Sequence, residues 1–327
     1  MDQADGTDKT DNFCDVVLEG GGVKGIALVG ALDELIRAGY RPRRIGGTSA
    51  GAIVGSLLAA GMDPGTMTGI MRDIDYTKFR DETLWDKLGL AGETASLVFT
   101  KGLYRGEYAR NWLKDQLAAL GVVTFADLKL PNEPWVRALP PSRRYKLVII
   151  VSDVTRGRLV RLPWDYERDY GLNPDDQLVA DAVHASMAIP FFYEPVRLGG
   201  NFLVDGGLLS NFPVDIFDDT AAWPTFGIKL SAKANAVRPY NVVTNPVNYG
   251  MAILSTAMNA HDQMHVDNPC TQKRTVFVDT LGIKGTHFDI TRAEQTQLFK
   301  NGQKYAQKFF KTWDFAEYQR SCAPHEH

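Results

Sequence analysis

The sequence predicts an α/β protein of three layers (α/β/α), with a mainly parallel sheet between two layers of helix. Three observations lead there. Short apolar runs alternate with longer segments of helical period along most of the chain. Glycine clusters sit where the first two runs meet the helices that follow them. No Pro/Ser-rich linker divides the 327 residues, so a single domain is expected over residues 13–320.

The elements follow in order. Residues 1–12 are polar and acidic and read as a flexible leader, lacking the basic start and apolar stretch of a signal peptide. A first strand over 15–18 runs into Gly20-Gly21-Gly22-Val23-Lys24-Gly25, then a helix over 25–38 that Gly39 stops. A second strand over 44–47 runs into Gly47-Thr48-Ser49-Ala50-Gly51, then an apolar helix over 50–60 that Gly61 stops. Asp63-Pro64 supplies an N-cap and an N1 proline for a helix over 64–72. Residues 79–104 carry Leu84, Trp85, Leu97, Val98 and Phe99 among glycines and charges. They read either as a lipid-facing lid or as packing over the sheet. A helix is expected over 106–120 and a surface loop over the Pro- and Arg-rich 131–144. Strands follow over 145–151 and 159–162, a helix over 177–187, and strands over 202–205 and 225–230. A helix over 246–266, a strand over 275–278, a helix over 292–312 and a tail over 321–327 complete the chain.

Composition narrows the function. With 44% hydrophobic residues, 23% charged and a net charge of −3, this is an ordinary soluble composition, and no nucleic-acid partner is expected. No apolar run reaches the roughly 18 residues of a membrane span. Cys14, Cys270 and Cys322 are odd in number and lack ligand spacing, which argues for free thiols, a reducing cytoplasm and no metal.

Ser49 is the most informative residue. Between a strand and a helix it would occupy a sharp turn that exposes its hydroxyl, with the free N–H groups of the helix start aimed at it. The bland alternative is a turn whose serine caps the helix. The glycine turn one strand earlier also satisfies Gly-x-Gly-x-x-Gly. A dinucleotide site needs a carboxylate at the end of the second strand, and Gly46-Gly47-Thr48-Ser49 has none. An oxyanion-binding turn explains the glycines better. Lys24 reads either as a charge near a phosphate or as a solvated surface lysine.

A nucleophilic serine needs a base. His184, His261, His265 and His287 are available, but Ser49 comes too early for the lipase-type order of strands. The other candidate is Asp205, in Asp205-Gly206-Gly207 after the apolar run Phe202-Leu203-Val204. By itself that sequence is equally a plain Asp-Gly turn.

Taken together these residues resemble the patatin-like phospholipase family. The resemblance rests on Gly20 to Gly25, Gly47 to Gly51, Asp205-Gly206-Gly207 and Asn211-Phe212-Pro213 in that order. It extends to Ala185-Ser186-Met187-Ala188-Ile189-Pro190, similar to the family's Ala-Ser-x-Ala-x-Pro segment. Matches span about residues 15–215, leaving the last third without a motif. The resemblance implies a patatin-like fold and a Ser49–Asp205 dyad. The N–H groups of Gly21, Gly22, Val23 and Ala50 would form an oxyanion hole. Met187, Ile189, Phe191 and Phe192 would line an acyl pocket, with core packing as the alternative for those four. It further implies a phospholipid or other lipid ester as substrate, peripheral membrane contact and no cofactor, and it leaves the oligomeric state open. Two other readings stand beside it: a lipase-type esterase using a histidine such as His287, and a catalytically silent lipid- or partner-binding module.

Overall fold

A computed structural model describes residues 12–79, 104–219, 222–231, 249, 252–253, 256 and 266–322. Strand β1 (Asn12–Leu18) leads into helix α1 (Gly25–Arg37), then β2 (Tyr40–Thr48) into α2 (Ala50–Ala59). Helix α3 (Pro64–Asp73) follows, its N-cap Asp63 accepting from the Thr66 N–H at 3.0 Å. Then come α4 (Glu107–Ala119) and a short α5 (Pro134–Ala138) inside the expected surface loop. Strands β3 (Leu147–Asp153) and β4 (Arg158–Leu162) precede α6 (Tyr166–Tyr170) and α7 (Val179–Met187). Strands β5 (Val196–Leu198), β6 (Asn201–Asp205) and β7 (Thr225–Lys229) lead to the last elements. These are α8 (Pro269–Lys273), β8 (Thr275–Phe277), α9 (Arg292–Phe310) and α10 (Phe315–Cys322).

The described strands form one sheet in the order β5-β6-β3-β2-β1-β7-β8, with β4 also on β3. The run β3-β2-β1-β7-β8 is parallel, whereas β4, β5 and β6 pair antiparallel. The three-layer, mainly parallel architecture is therefore present. Helix α2 is apolar nearly all round because it lies under the sheet between other elements, with Ala52, Val54 and Leu57 fully buried. Helices α1 and α9 cross at backbone contact. A Cβ on Gly30 would lie 2.1 Å from the Phe299 carbonyl, and one on Gly302 would lie 2.1 Å from that of Ala27.

Several expectations change. Asp205 stands at the end of a strand as expected, but β6 is antiparallel, so it enters from the rim of the sheet that carries the strand ends. The expected tail begins inside α10, whose residues extend to Cys322. Cys270 and Cys322 are not free thiols: they form a disulfide with a Cα–Cα distance of 5.6 Å, because α8 and α10 pack together. Cys14 is the free, buried thiol. The disulfide removes the cysteine argument for a reducing compartment. Among the described residues, no helix is long and apolar enough to cross a membrane. Residues 1–11 of the expected leader at 1–12, residues 80–103 of the candidate lid at 79–104 and most of the expected helix at 246–266 lie outside the described residues, while Asn12 already opens β1.

Candidate active site

Ser49 occupies the junction of β2 and α2 with φ 52° and ψ −120°, a left-handed backbone that a side chain adopts only when its surroundings impose it. Those surroundings are backbone contacts. A Cβ on Gly51 would fall 2.2 Å from the Leu18 carbonyl, and one on Gly47 would fall 2.4 Å from the Gly51 carbonyl. Only glycine lets the turn close this tightly. The Ser49 N–H donates to Ser186 Oγ at 2.9 Å, and that hydroxyl donates to the Ile150 carbonyl at 2.6 Å. Ser186 thus ties the elbow to α7 and β3. The sequence signalled Ser186 only as part of a segment, without this role.

The glycine turn lies against the serine: a Cβ on Gly20 would be 3.1 Å from Ser49 Cβ. Asn211 holds the turn, donating from Nδ2 to the Gly20 carbonyl at 3.2 Å while its own carbonyl accepts the Gly20 N–H at 3.3 Å. Among the described residues, the N–H groups of Gly21, Gly22 and Ala50 meet no acceptor. Val23 differs from expectation, because its N–H donates to the Gly285 carbonyl at 3.0 Å. That approach needs glycine at 22, where φ is +57° and a Cβ would sit 2.0 Å from the Gly285 oxygen. Gly285 comes from the last third of the chain, where no motif pointed to the site.

Lys24 is not a solvated surface lysine. It is partly buried and turns behind the glycines, its Nζ 3.4 Å from the Leu230 carbonyl. Burial pushes its ammonium below the usual lysine range, while Glu19 nearby pulls the other way. Glu19, the residue after β1, is ion-paired with Lys229 of β7 and accepts the Leu230 N–H, so two charged side chains brace the turn.

Asp205 is 2% exposed and its carboxylate accepts the Gly207 N–H at 2.7 Å. Its backbone N–H donates to the Ala188 carbonyl at 2.8 Å. Gly206 is required because a Cβ there would meet the Ile150 carbonyl at 2.2 Å. Burial pushes the carboxyl up to about 6; the Gly207 N–H and the Ser49 hydroxyl act in the opposite direction. Ile150 is thus a shared post, its carbonyl bonded by Ser186 and crowded by Gly206.

A cavity of about 40 Å³ opens on Ser49, Ala50, Gly22 and Val23. Met187 and Ile189 line it as expected. Phe191 and Phe192 do not. The turn at Pro190–Phe192 gives Phe191 a φ of 67° and leaves it 42% exposed, while Phe192 stacks behind Phe288 at 5.4 Å. Ile53, Met71, Ile74, Tyr76, Phe79 and Phe288 complete most of the wall. Among the described histidines, neither His184 nor His287 lines this cavity, and His184 Nε2 lies 3.0 Å from the Arg105 carbonyl. His261 and His265 lie outside the described residues. No group of three or more potential metal ligands occurs among the described residues.

The family model for patatin-like phospholipases matches residues 16–218, which contain the serine elbow, the glycine turn and the buried aspartate. The chain belongs to the patatin-like phospholipase family. Membership places this patatin-like protein among lipid acyl hydrolases. It is 34% identical over 308 residues to the uncharacterized protein YqhO of Bacillus subtilis, covering 93% of this chain and 100% of that one. It is 25% identical over 204 residues to Lysophospholipase NTE1 of Candida glabrata, covering 61% of this chain but only 9% of that protein. Among solved structures, VipD from Legionella pneumophila shares the fold, with a TM-score of 0.54 at 18% identity over 92% of this chain and 67% of VipD.

Proposed function

We propose that the protein is a lipid acyl hydrolase of phospholipase A or lysophospholipase type, working through an acyl-enzyme on Ser49 with Asp205 as base. What supports the reading is a serine held in a left-handed turn and a buried Asp205 carboxyl, 2% exposed, that burial pushes up to about 6 while the Ser49 hydroxyl acts against the shift. A base of that strength is ionised at neutral pH yet able to hold a proton during reaction. Asp205 takes the proton from the Ser49 hydroxyl as its oxygen bonds the ester carbonyl carbon. The N–H groups of Gly21, Gly22 and Ala50 stabilise the tetrahedral oxyanion, each good donor contributing about 3 kcal/mol. Asp205 then returns the proton to the departing alcohol or lysolipid. Water, deprotonated by the same carboxylate, attacks the acyl-enzyme and restores Ser49.

The lysophospholipase name of a relative agrees with this substrate class. Contact with a lipid surface follows from that class. The test compares wild type with Ser49→Ala: mass spectrometry of products from a mixed lipid extract, and covalent labelling by a fluorophosphonate. Label and released fatty acid that both depend on Ser49 are expected. A folded wild-type protein that neither labels at Ser49 nor releases fatty acid would refute the reading.

A further inference from the structure

The glycine turn beside Ser49 is held by buried charge as well as by apolar packing. Glu19 and Lys229 are 5% and 7% exposed and form an ion pair. The two Glu19 carboxylate oxygens take consecutive groups at one strand end: Oε1 accepts from the Lys229 ammonium, and Oε2 accepts the Leu230 N–H. The Glu19 N–H donates to the Ile228 carbonyl at 3.1 Å, which carries the β1–β7 pairing one residue past Leu18. Lys24 donates from Nζ to the Leu230 carbonyl at 3.4 Å. Leu230 is therefore gripped at its N–H by the residue before the glycines and at its carbonyl by the residue after Val23.

Gly21 lies in that grip. A Cβ there would stand 2.4 Å from Leu230 Cδ1 and 3.3 Å from Lys24 Cε, so the Leu230 side chain rests directly on the Gly21 backbone. On another flank the Lys229 ammonium stands 5.1 Å from the centre of the Phe212 ring, next to the Asn211 that holds Gly20. A buried ion pair is a poor device for stability, because removing two charges from water offsets most of their attraction. What it adds is direction. Apolar contact alone lets Gly21 slide along Leu230, whereas a carboxylate bonded through both oxygens sets the position of the turn along β7.

Resting on the acyl-hydrolase reading, we propose that Glu19 and Lys229 are positioning residues of the oxyanion hole: through Leu230 they set the place of the Gly21 and Gly22 N–H groups, and neither touches the substrate. A displacement of about 1 Å in such groups costs about a hundredfold in rate. The pair acts on the tetrahedral state, where the former carbonyl oxygen carries charge, and leaves ground-state binding unchanged.

The experiment measures kcat and KM on p-nitrophenyl butyrate, and Ki for an alkyl trifluoromethyl ketone, whose adduct on Ser49 carries the same oxyanion. Fluorophosphonate labelling counts the active sites, and urea unfolding reports the fold. The variants are Glu19→Gln, Lys229→Met and the two together; the double variant leaves no unpaired buried charge. In it kcat per labelled site should fall about tenfold to a hundredfold. KM should stay within about twofold, Ki should rise by the same factor as kcat falls, and the acid limb of the pH profile should stay in place. The single losses should be non-additive, because either one breaks the pair. Glu19→Asp keeps the charge but retracts it by a methylene, and a fall in kcat at constant KM is expected there too should the double variant fail to fold. Wild-type kcat in a folded double variant, or in Glu19→Asp, overturns the proposal and leaves the acyl-hydrolase reading standing. So does a rise in KM alone, or a displaced acid limb, which would place the effect on Asp205. Wild-type protein that neither labels at Ser49 nor cleaves the ester overturns both.

Discussion

Replacing Asp205 by asparagine tests the base and its environment in a single variant. The amide keeps the shape and an oxygen to accept the Gly207 N–H, but it cannot ionise. In the wild type, burial raises the carboxyl from 3.8 to about 6. The folded state therefore binds the proton more tightly than the unfolded chain does. Well below pH 3.8 both states are protonated and the side chain carries no penalty. As pH rises from 3.8 through about 6, folding must hold a charge that burial disfavours, and wild-type stability falls. The separation corresponds to about 3 kcal/mol at neutral pH. The uncharged amide never incurs this cost. Urea unfolding of both proteins from pH 4 to pH 8 should show near-equal stability at the acid end. The variant should become the more stable by about 3 kcal/mol above pH 7. Other titrating groups are common to the two proteins and cancel in the difference. Hydrolysis should meanwhile fall about 10²–10⁴-fold in the variant, the range for loss of a general base. A stability difference that stays flat with pH, or full activity in folded Asp205→Asn, would refute the reasoning.

Three further outcomes are expected. The acid limb of kcat/KM in wild type should bend near pH 6, where Asp205 takes up its proton, and fall about tenfold per pH unit below it; a profile flat to pH 4 would remove Asp205 as base. Ser186→Ala leaves the Ser49 N–H without an acceptor, so it should cost about 2 kcal/mol in urea unfolding and lower kcat more than it raises KM. Alkylation of unfolded, unreduced protein should modify Cys14 alone, with Cys270 and Cys322 reacting only after reduction.

The turns that carry Ser49 and Asp205 could be read from the sequence because backbone crowding leaves a visible mark. Gly47, Gly51 and Gly206 stand where any side chain would strike a carbonyl, and short apolar strands lead directly into them. The pattern of residues does not record strand direction, so the antiparallel entry of β6 was hidden although its end at Asp205 was not. Contacts between distant segments were equally silent. Gly285 reaches Val23 across the chain, and the cysteines meet across 52 residues only because α8 docks on α10. Phe191 shows the opposite failure. It is apolar and beside two true cavity residues, yet one left-handed turn places it at the surface.

The placement of β1 in the sheet has a consequence for where this protein can be divided. The family match ends at residue 218, but one edge of β1 is covered by β7, which begins at Thr225. Cutting at the border of recognisable sequence would strip that edge bare from Asp15 to Leu18 and remove α9 from the glycine face of α1. A bare central strand is a template for aggregation. The Glu19–Lys229 brace and the Gly285 contact would leave with it. The portion that identifies the family and the portion that folds thus have different borders, and transplanting the chemistry to another scaffold requires the longer one.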